Sequence, residues 1–430
     1  MKKRIVSIVL AVALLCAMLP IGSVASAGTQ AYPVNGGNLY FDPDTGTITG
    51  CDRTITSAVI PAEIGGTAVT AIGEGAFLRC TALTSVRIPA SVTEVERNPF
   101  ARSQNLKKID VDTANPKYTS HQGVLYSKGS NGALECALRC PEGFSGDYTI
   151  PDGVSTISDA FYDCKNLSSV VVPASVISVA SGAFLSEGLS AVYFKGNRPM
   201  DMTPNIFSAP HEVIVYYVKG TSGWTSPTWG AYRTATWDGV TPTYPSAQFT
   251  DANQNAWYRR ALDYSITRGI LNGVGNNRID PNGTTTRAMF ITILWRLAGE
   301  PKARTTPQFV DLKANWYKEA VAWGAEHGYV TGTDATHFNP DGAVTREQAA
   351  TFLYRFADKP SVEGASLANF PDGKQTSAFA KDALLWANAT GMIDGTKRDG
   401  TVLLDPQGTA TRAQVANILM RYRVKFWAIF

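Results

Sequence analysis

Three Thr-Arg pairs recur at corresponding places in the carboxyl-terminal part of this chain of 430 residues: Thr286-Arg287, Thr345-Arg346 and Thr411-Arg412. Each precedes a run with apolar residues at helical spacing, such as Ala349, Phe352, Leu353 and Phe356 after the second pair, so each Thr reads as a helix N-cap. A helix N-terminus offers exposed amides and a dipole that favours an anion. Arg adds a planar fork of donors that stays charged. Gly273, Gly332 and Gly395 precede the pairs, and a glycine lets a ligand approach the backbone closely. Asp251, Asp311 and Asp372 complete each set, either accepting hydrogen bonds from hydroxyls or capping a first helix. Trp257 and Trp316 supply the aromatic of the first two sets and Phe379 that of the third. The plainer alternative for the three Arg is surface ion pairing, which contributes little.

These residues recur because the segment itself recurs. Phe249-Thr-Asp251, Phe309-Val-Asp311 and Phe370-Pro-Asp372 open copies at 249–301, 309–360 and 370–422. Each copy reads helix, loop, helix. In the second, the run from Trp316 to Ala325 has helical spacing, Gly328 ends it as a left-handed C-cap, and Asn339-Pro340-Asp341-Gly342 makes a turn. The third copy carries an insertion near 396–402 and has Ala380 where the other two have Tyr.

The Phe-x-Asp opening, the Gly loop, the Pro turn and the Thr-Arg pair, three times in tandem, resemble the surface-layer homology (SLH) domain. The resemblance implies an all-α pseudo-threefold trimer with grooves between adjacent copies. It also implies a ligand, the secondary cell wall polymer, an anionic glycan often carrying a pyruvyl ketal that Arg287, Arg346 and Arg412 would hold. Where that motif usually has Glu after Thr-Arg-Ala, this chain has Met289, Gln348 and Gln414. Gln keeps hydrogen bonding without charge and Met keeps neither, so the first groove is expected to be the weakest.

The amino-terminal half repeats at about 22 or 23 residues. Leu83, Val86, Ile88-Pro89, Val92 and Phe100 are echoed by Leu167, Val170, Val172-Pro173, Val176 and Ala183-Phe184. Alternation at period two makes a short strand, Pro ends it, and the Phe enters the core between coils. Asn115 to Tyr126 breaks the period and reads as an inserted hairpin, and Asp42-Pro-Asp44-Thr-Gly46 as a hairpin turn. The pattern resembles BspA-like leucine-rich repeats, which implies a β-rich α/β solenoid over 28–240 that binds an unnamed protein or glycan. Trp224, Trp229, Tyr232 and Trp237 read as a terminal cap, with sugar stacking as the alternative, and 241–248 as a stiff linker. The fold class is thus multidomain, a solenoid followed by the helical trimer.

Composition sets further bounds. Hydrophobic content of 44% with 17% charge describes a folded chain. The formal +3 comes from Lys2, Lys3 and Arg4, without which 36 of the 39 basic residues face 36 acidic ones; no nucleic acid is expected as a partner. Those cations, an apolar run of about fifteen residues and Ala25-Ser26-Ala27 read as a signal peptide over 1–27. Leu15 before Cys16 argues against a lipobox. After cleavage no membrane insertion is expected, and the product is placed in the wall or on the surface of a Gram-positive-type bacterium. Cys51, Cys80, Cys136, Cys140 and Cys164 have no zinc spacing; Cys136 and Cys140 could pair or share a helix face, and small buried side chains are the plainer reading. His121, His211, His327 and His337 fit no catalytic motif. The expectation is a non-catalytic adhesive surface protein without metal or cofactor. A structural surface-layer subunit is the alternative, and a wall-acting enzyme a third reading.

Overall fold

The computed structural model describes residues 28–207, 213–240 and 242–426; the signal-peptide reading of 1–27 and His211 lie outside the described residues. The chain divides into two compact units, one of residues up to 106 with 111–116, the other of 107–110 with 117 onward.

The first unit opens on a hairpin, Gly37–Asp42 against Thr47–Cys51. Its turn forms because the Asp42 carboxylate accepts from the Asp44 amide and the Thr45 hydroxyl, each at 3.0 Å. Thr47–Cys51 then pairs in parallel with Ala71–Ile72, and that strand with Glu94–Val95. Ser57–Val59 pairs in parallel with Ser85–Ile88. The rings of Phe77 and Phe100 stack inside at 5.4 Å, the aromatic ladder that the repeat spacing implies.

The second unit is also built from coils. Gly146–Thr149, Leu167–Val172, Ala191–Phe194, Ile214–Val218 and Tyr232–Trp237 form one parallel ladder. Phe161, Phe184 and Phe207 stack beneath it at 5.5 and 5.7 Å. The inserted hairpin is present as Tyr118–His121, Val124–Lys128 and Leu134–Arg139, and its last strand also pairs with Thr156–Ile157. Cys136 therefore lies on a strand rather than on a helix face, and both it and Cys140 are free. Trp229, Tyr232 and Trp237 are buried, and the Trp237 indole donates to the Phe194 carbonyl at 3.2 Å; these aromatics close the last coil. The amino-terminal half is thus built of β-solenoid coils.

The stretch expected as a linker is packed. Tyr193 donates to the Thr243 carbonyl at 2.9 Å, and Tyr244 lies 3.8 Å beneath the Arg259 guanidinium. Leu167–Val172 is buried on both faces. The helices that follow are α1 (Arg259–Thr267), α2 (Arg287–Leu297), α3 (Asn315–Glu326), α4 (Arg346–Phe356), α5 (Lys381–Ala389) and α6 (Arg412–Phe426). The second helix of each repeat packs on the first helix of the next: α2 on α3, α4 on α5, and α6 back on α1. The region is not all-α. The insertion in the third repeat is a β-hairpin, Thr396–Arg398 with Thr401–Leu403, and three β-bridges join the repeats, Thr286 to Ala343, Thr345 to Thr409 and Thr284 to Thr411. Helical spacing cannot reveal bridges made between single residues of different repeats.

Asp263 of α1 sits at the junction with the solenoid. It is buried, accepts from the Ser246 amide at 2.8 Å, and pairs with Arg259, which also reaches Asp147 at 2.6 Å. Burial pushes its carboxyl from 3.8 up to about 6. A folded-state value above the unfolded one means that the contribution to stability is complete below pH 3.8 and is lost as pH rises through 6. At about 1.4 kcal/mol per tenfold change, that interval amounts to about 3 kcal/mol. The stability difference between the wild type and Asp263→Asn, followed by urea denaturation, is expected to change by that amount from pH 4 to pH 7 and to be flat above. A difference independent of pH across that window would refute the assignment.

Candidate functional site

The three Thr behave as the sequence implies. The side chains of Thr286, Thr345 and Thr411 accept from the amides of Met289, Gln348 and Gln414 at 3.3, 3.3 and 3.2 Å. Gln348 and Gln414 answer with their own carbonyls to the Thr345 and Thr411 amides at 3.2 and 2.9 Å. Each forms a capping box, for which an amide serves as well as a carboxylate. Met289 cannot do so, and its side chain instead borders Arg412.

The amides behind the caps are not open to a ligand. Those of Arg287, Arg346 and Arg412 donate to the carbonyls of Gly342, Gly408 and Gly283, and those of Ala288, Glu347 and Ala413 to Pro340, Pro406 and Pro281. Every one of these bonds runs to a different repeat, in the same cyclic order as the helix packing. The helix N-termini thus act as joints between repeats.

The Arg side chains follow the same circuit. Arg287, Arg346 and Arg412 are 6%, 4% and 4% exposed, so they are not surface ion pairs. Arg287 donates to Phe338 and Thr331 carbonyls at 2.8 and 2.6 Å, and Arg346 to that of Leu404 at 3.0 Å. Arg412 reaches Ile279 and Asn272 at 2.8 and 2.6 Å, closing the third repeat onto the first. Burial draws all three guanidinium groups below their ordinary value.

Gly and Asp also have local partners. A Cβ on Gly273 would stand 2.7 Å from the Phe249 ring, one on Gly332 2.7 Å from Phe309, and one on Gly395 2.8 Å from Phe370. The glycines therefore leave room for the Phe of Phe-x-Asp. The Asp251 carboxylate accepts from the Ile279 and Asp280 amides, that of Asp311 from Phe338 and Asn339, and that of Asp372 from Leu404 and Asp405. The three acids pin the loop before each Pro and do not cap a first helix. For Asp251 and Asp311 the loop amides outweigh desolvation and hold the carboxyl below its ordinary value.

Two clefts draw on all three repeats. One, of about 390 Å³, has Gly273, Met289 and Arg296 of the first repeat, Trp316 of the second and Arg412 of the third. No carboxylate lines it among the described residues. The other, of about 630 Å³, has Gly395, Thr411 and Arg421 of the third repeat, Trp257 of the first and Arg346 of the second; Lys397 and Asp394 add charges of both signs. The chain thus brings Gly273 to Arg412 rather than to Arg287, and Gly395 to Arg346 rather than to Arg412. Trp257 and Trp316 are 64% and 52% exposed at the rims. Arg296 and Arg421 recur with Arg355 at the same place in each second helix, after Arg287, Arg346 and Arg412, a periodic signal that the sequence reading did not use; Lys397 lies in the inserted hairpin and has no counterpart. No group of His, Cys, Asp and Glu suited to a metal is found among the described residues, and no described helix is long and apolar enough to cross a membrane.

Residues 248–289, 308–350 and 369–416 match the S-layer homology domain family, and residues 51–126 and 146–211 the BspA type leucine rich repeat region. Neither is a catalytic domain. The chain is similar to the surface-layer 125 kDa protein of Lysinibacillus sphaericus, 32% identical over 42% of this chain and 15% of that one. It is also similar to an amylopullulanase of Thermoanaerobacterium thermosulfurigenes, 26% identical over 52% of this chain and 12% of that one. The match thus spans less than a sixth of either relative. A solved leucine-rich repeat protein from Bacteroides capillosus is 24% identical over 39% of this chain and 99% of its own, with a TM-score of 0.21. The chain is a surface protein built from BspA-type leucine-rich repeats followed by three S-layer homology domains.

Proposed function

We propose that the three helical repeats hold an anionic secondary cell wall polymer, a pyruvylated glycan being the ligand class that suits them, and so tether the chain to the wall without a covalent bond. The observation that carries this reading is the first cleft. Two guanidinium groups, Arg296 and Arg412, meet an exposed Trp316 there, and no carboxylate is among the lining residues; Glu300 acts on Arg296, and Asp280 and Asp251 on Arg412, from outside the cleft. A fixed cation selects an acidic ketal, and an aromatic face suits the apolar side of a sugar ring. Groove one becomes the strongest candidate despite Met289, because Met289 supports Arg412 from the side rather than being asked to bind. The wall-binding set proposed is Arg412 with Gly273 and Trp316, and Arg346 with Gly395, Thr411 and Trp257. Arg287, Thr286, Thr345, Gly332, Asp251, Asp311 and Asp372 support it by holding the loops and joints in place. On this reading the chain is exported by the leader at 1–27 to the wall of a Gram-positive-type cell, and its solenoid presents a protein- or glycan-binding surface. Coils whose strand faces are covered, as at Leu167–Val172, are not part of that surface.

The full chain mixed with purified walls is expected to co-sediment, and to lose at least tenfold in binding once the secondary polymer has been stripped by acid. Undiminished binding to stripped walls would overturn the anchor. A second reading, a structural subunit of a surface layer, is favoured by the name of the Lysinibacillus relative. It requires the purified chain to assemble into ordered sheets visible by electron microscopy, and a monodisperse monomer excludes it.

A further inference from the structure

The sulfur atoms of Cys51 and Cys80 lie 2.9 Å apart, inside the van der Waals contact of two sulfurs. Cys80 occupies the position after the core Phe that Cys164 fills in a later coil, where the thiol is aimed at the Cys140 carbonyl at 3.4 Å and also meets the buried Cys140 thiol. Cys51, by contrast, ends the strand Thr47–Cys51 at the margin of the amino-terminal hairpin and is only half-buried. Both backbones are fixed. Cys51 stands opposite Leu39 in the hairpin, and the Cys80 amide donates to the Ser103 hydroxyl at 3.1 Å, which itself donates to the Phe77 carbonyl at 2.6 Å. Two sulfurs held face to face by separately anchored backbone segments meet the first geometric requirement of a disulfide.

We infer that Cys51 and Cys80 form a disulfide that staples the opening hairpin to the first coil of the solenoid. The end coil of a stack has a neighbour on one side only, so it is the part that opens first, and a cross-link between residues 29 positions apart restrains it. The location at the cell surface favours oxidation. Their shared hydrogen bond holds Cys80 below the ordinary thiol value, with Arg53 assisting, and pushes Cys51 well above it. Cys51 is the accessible partner, since Cys80 is 1% exposed. Cys51 loses its proton and attacks one sulfur of an oxidant of the disulfide class, releasing the other sulfur as a thiolate and leaving a mixed disulfide. Cys80 then loses its proton and displaces the second oxidant sulfur. Two thiols have given up two protons and two electrons, and the oxidant leaves as two thiols. Cys136, Cys140 and Cys164 remain as thiols.

The test equilibrates the native full chain with a glutathione/glutathione-disulfide buffer. Acid quenching, alkylation under denaturant and proteolytic mapping by mass spectrometry follow. The expected map contains the Cys51 and Cys80 peptides joined and two mass units lighter than their sum, with Cys136, Cys140 and Cys164 alkylated. In Cys80→Ser, Cys51 is expected to appear alkylated. Alkylation of both Cys51 and Cys80 in the wild type, or a link from either to another cysteine, would overturn the proposal.

Discussion

Replacement of Arg412 by Ala is expected to destabilise the helical repeats by about 3 kcal/mol, because it removes a joint before it removes a ligand contact. The Arg412 side chain is 4% exposed and serves carbonyls of Ile279 and Asn272, 133 and 140 residues away in sequence. Truncation leaves both carbonyls without that donor and opens a void between α6 and the first repeat. For a unit of this size the melting temperature should fall by roughly 6–12 °C, read from the loss of helical circular dichroism in the full chain. Arg412→Lys keeps the charge but cannot present a fork to two carbonyls, and should fall between wild type and Ala. A variant that melts like the wild type while losing wall binding would assign Arg412 to the ligand alone. The same reasoning governs any triple Arg→Ala variant: its loss of binding would report loss of the circuit formed by Arg287, Arg346 and Arg412, so it cannot serve as the test of the anchor.

The periodic features were legible because they are local. Strand spacing near 23 residues, the Phe stack, the turn at Asp42, the closing aromatics and the three Thr caps each depend on residues within one coil or one helical turn. The site was less legible, and Arg shows why. An Arg at the first position of a helix suits an anion and suits a carbonyl of another repeat equally well, and only the cyclic packing of α2 on α3, α4 on α5 and α6 on α1 decides which partner is near. Gly273 and Phe249 recur together for a reason that each alone conceals, since the ring occupies the place of the missing Cβ. Recurrence alone does not separate residues that build the trio from residues that line its clefts: Arg296, Arg355 and Arg421 recur as regularly as Arg287, Arg346 and Arg412, and only the packed structure shows Arg296 and Arg421 at clefts and the Thr-Arg arginines buried at the joints.

That distinction selects the variants that test the anchor. Trp257→Ala and Trp316→Ala change exposed rims, so each should leave stability within about 0.5 kcal/mol of wild type; their contacts with the neighbouring Tyr258 and Tyr317 rings, edge-on at 5.6 and 4.9 Å, are the part at risk. Each should weaken co-sedimentation with purified walls by about tenfold, the effect of losing one aromatic anchor worth about 1.4 kcal/mol. Trp257 lines the cleft of the third repeat and Trp316 that of the first. Losses at separate sites add as free energies, so the double variant should lose about a hundredfold. The loss should be steeper on dense walls, where one polymer can engage both clefts, than on short polymer fragments that fill one at a time. A double variant that melts and binds like the wild type would remove both clefts from the anchor. One that loses binding while keeping its melting temperature separates ligand contact from the architecture that Arg412 maintains, which no substitution within the Thr-Arg pairs can do.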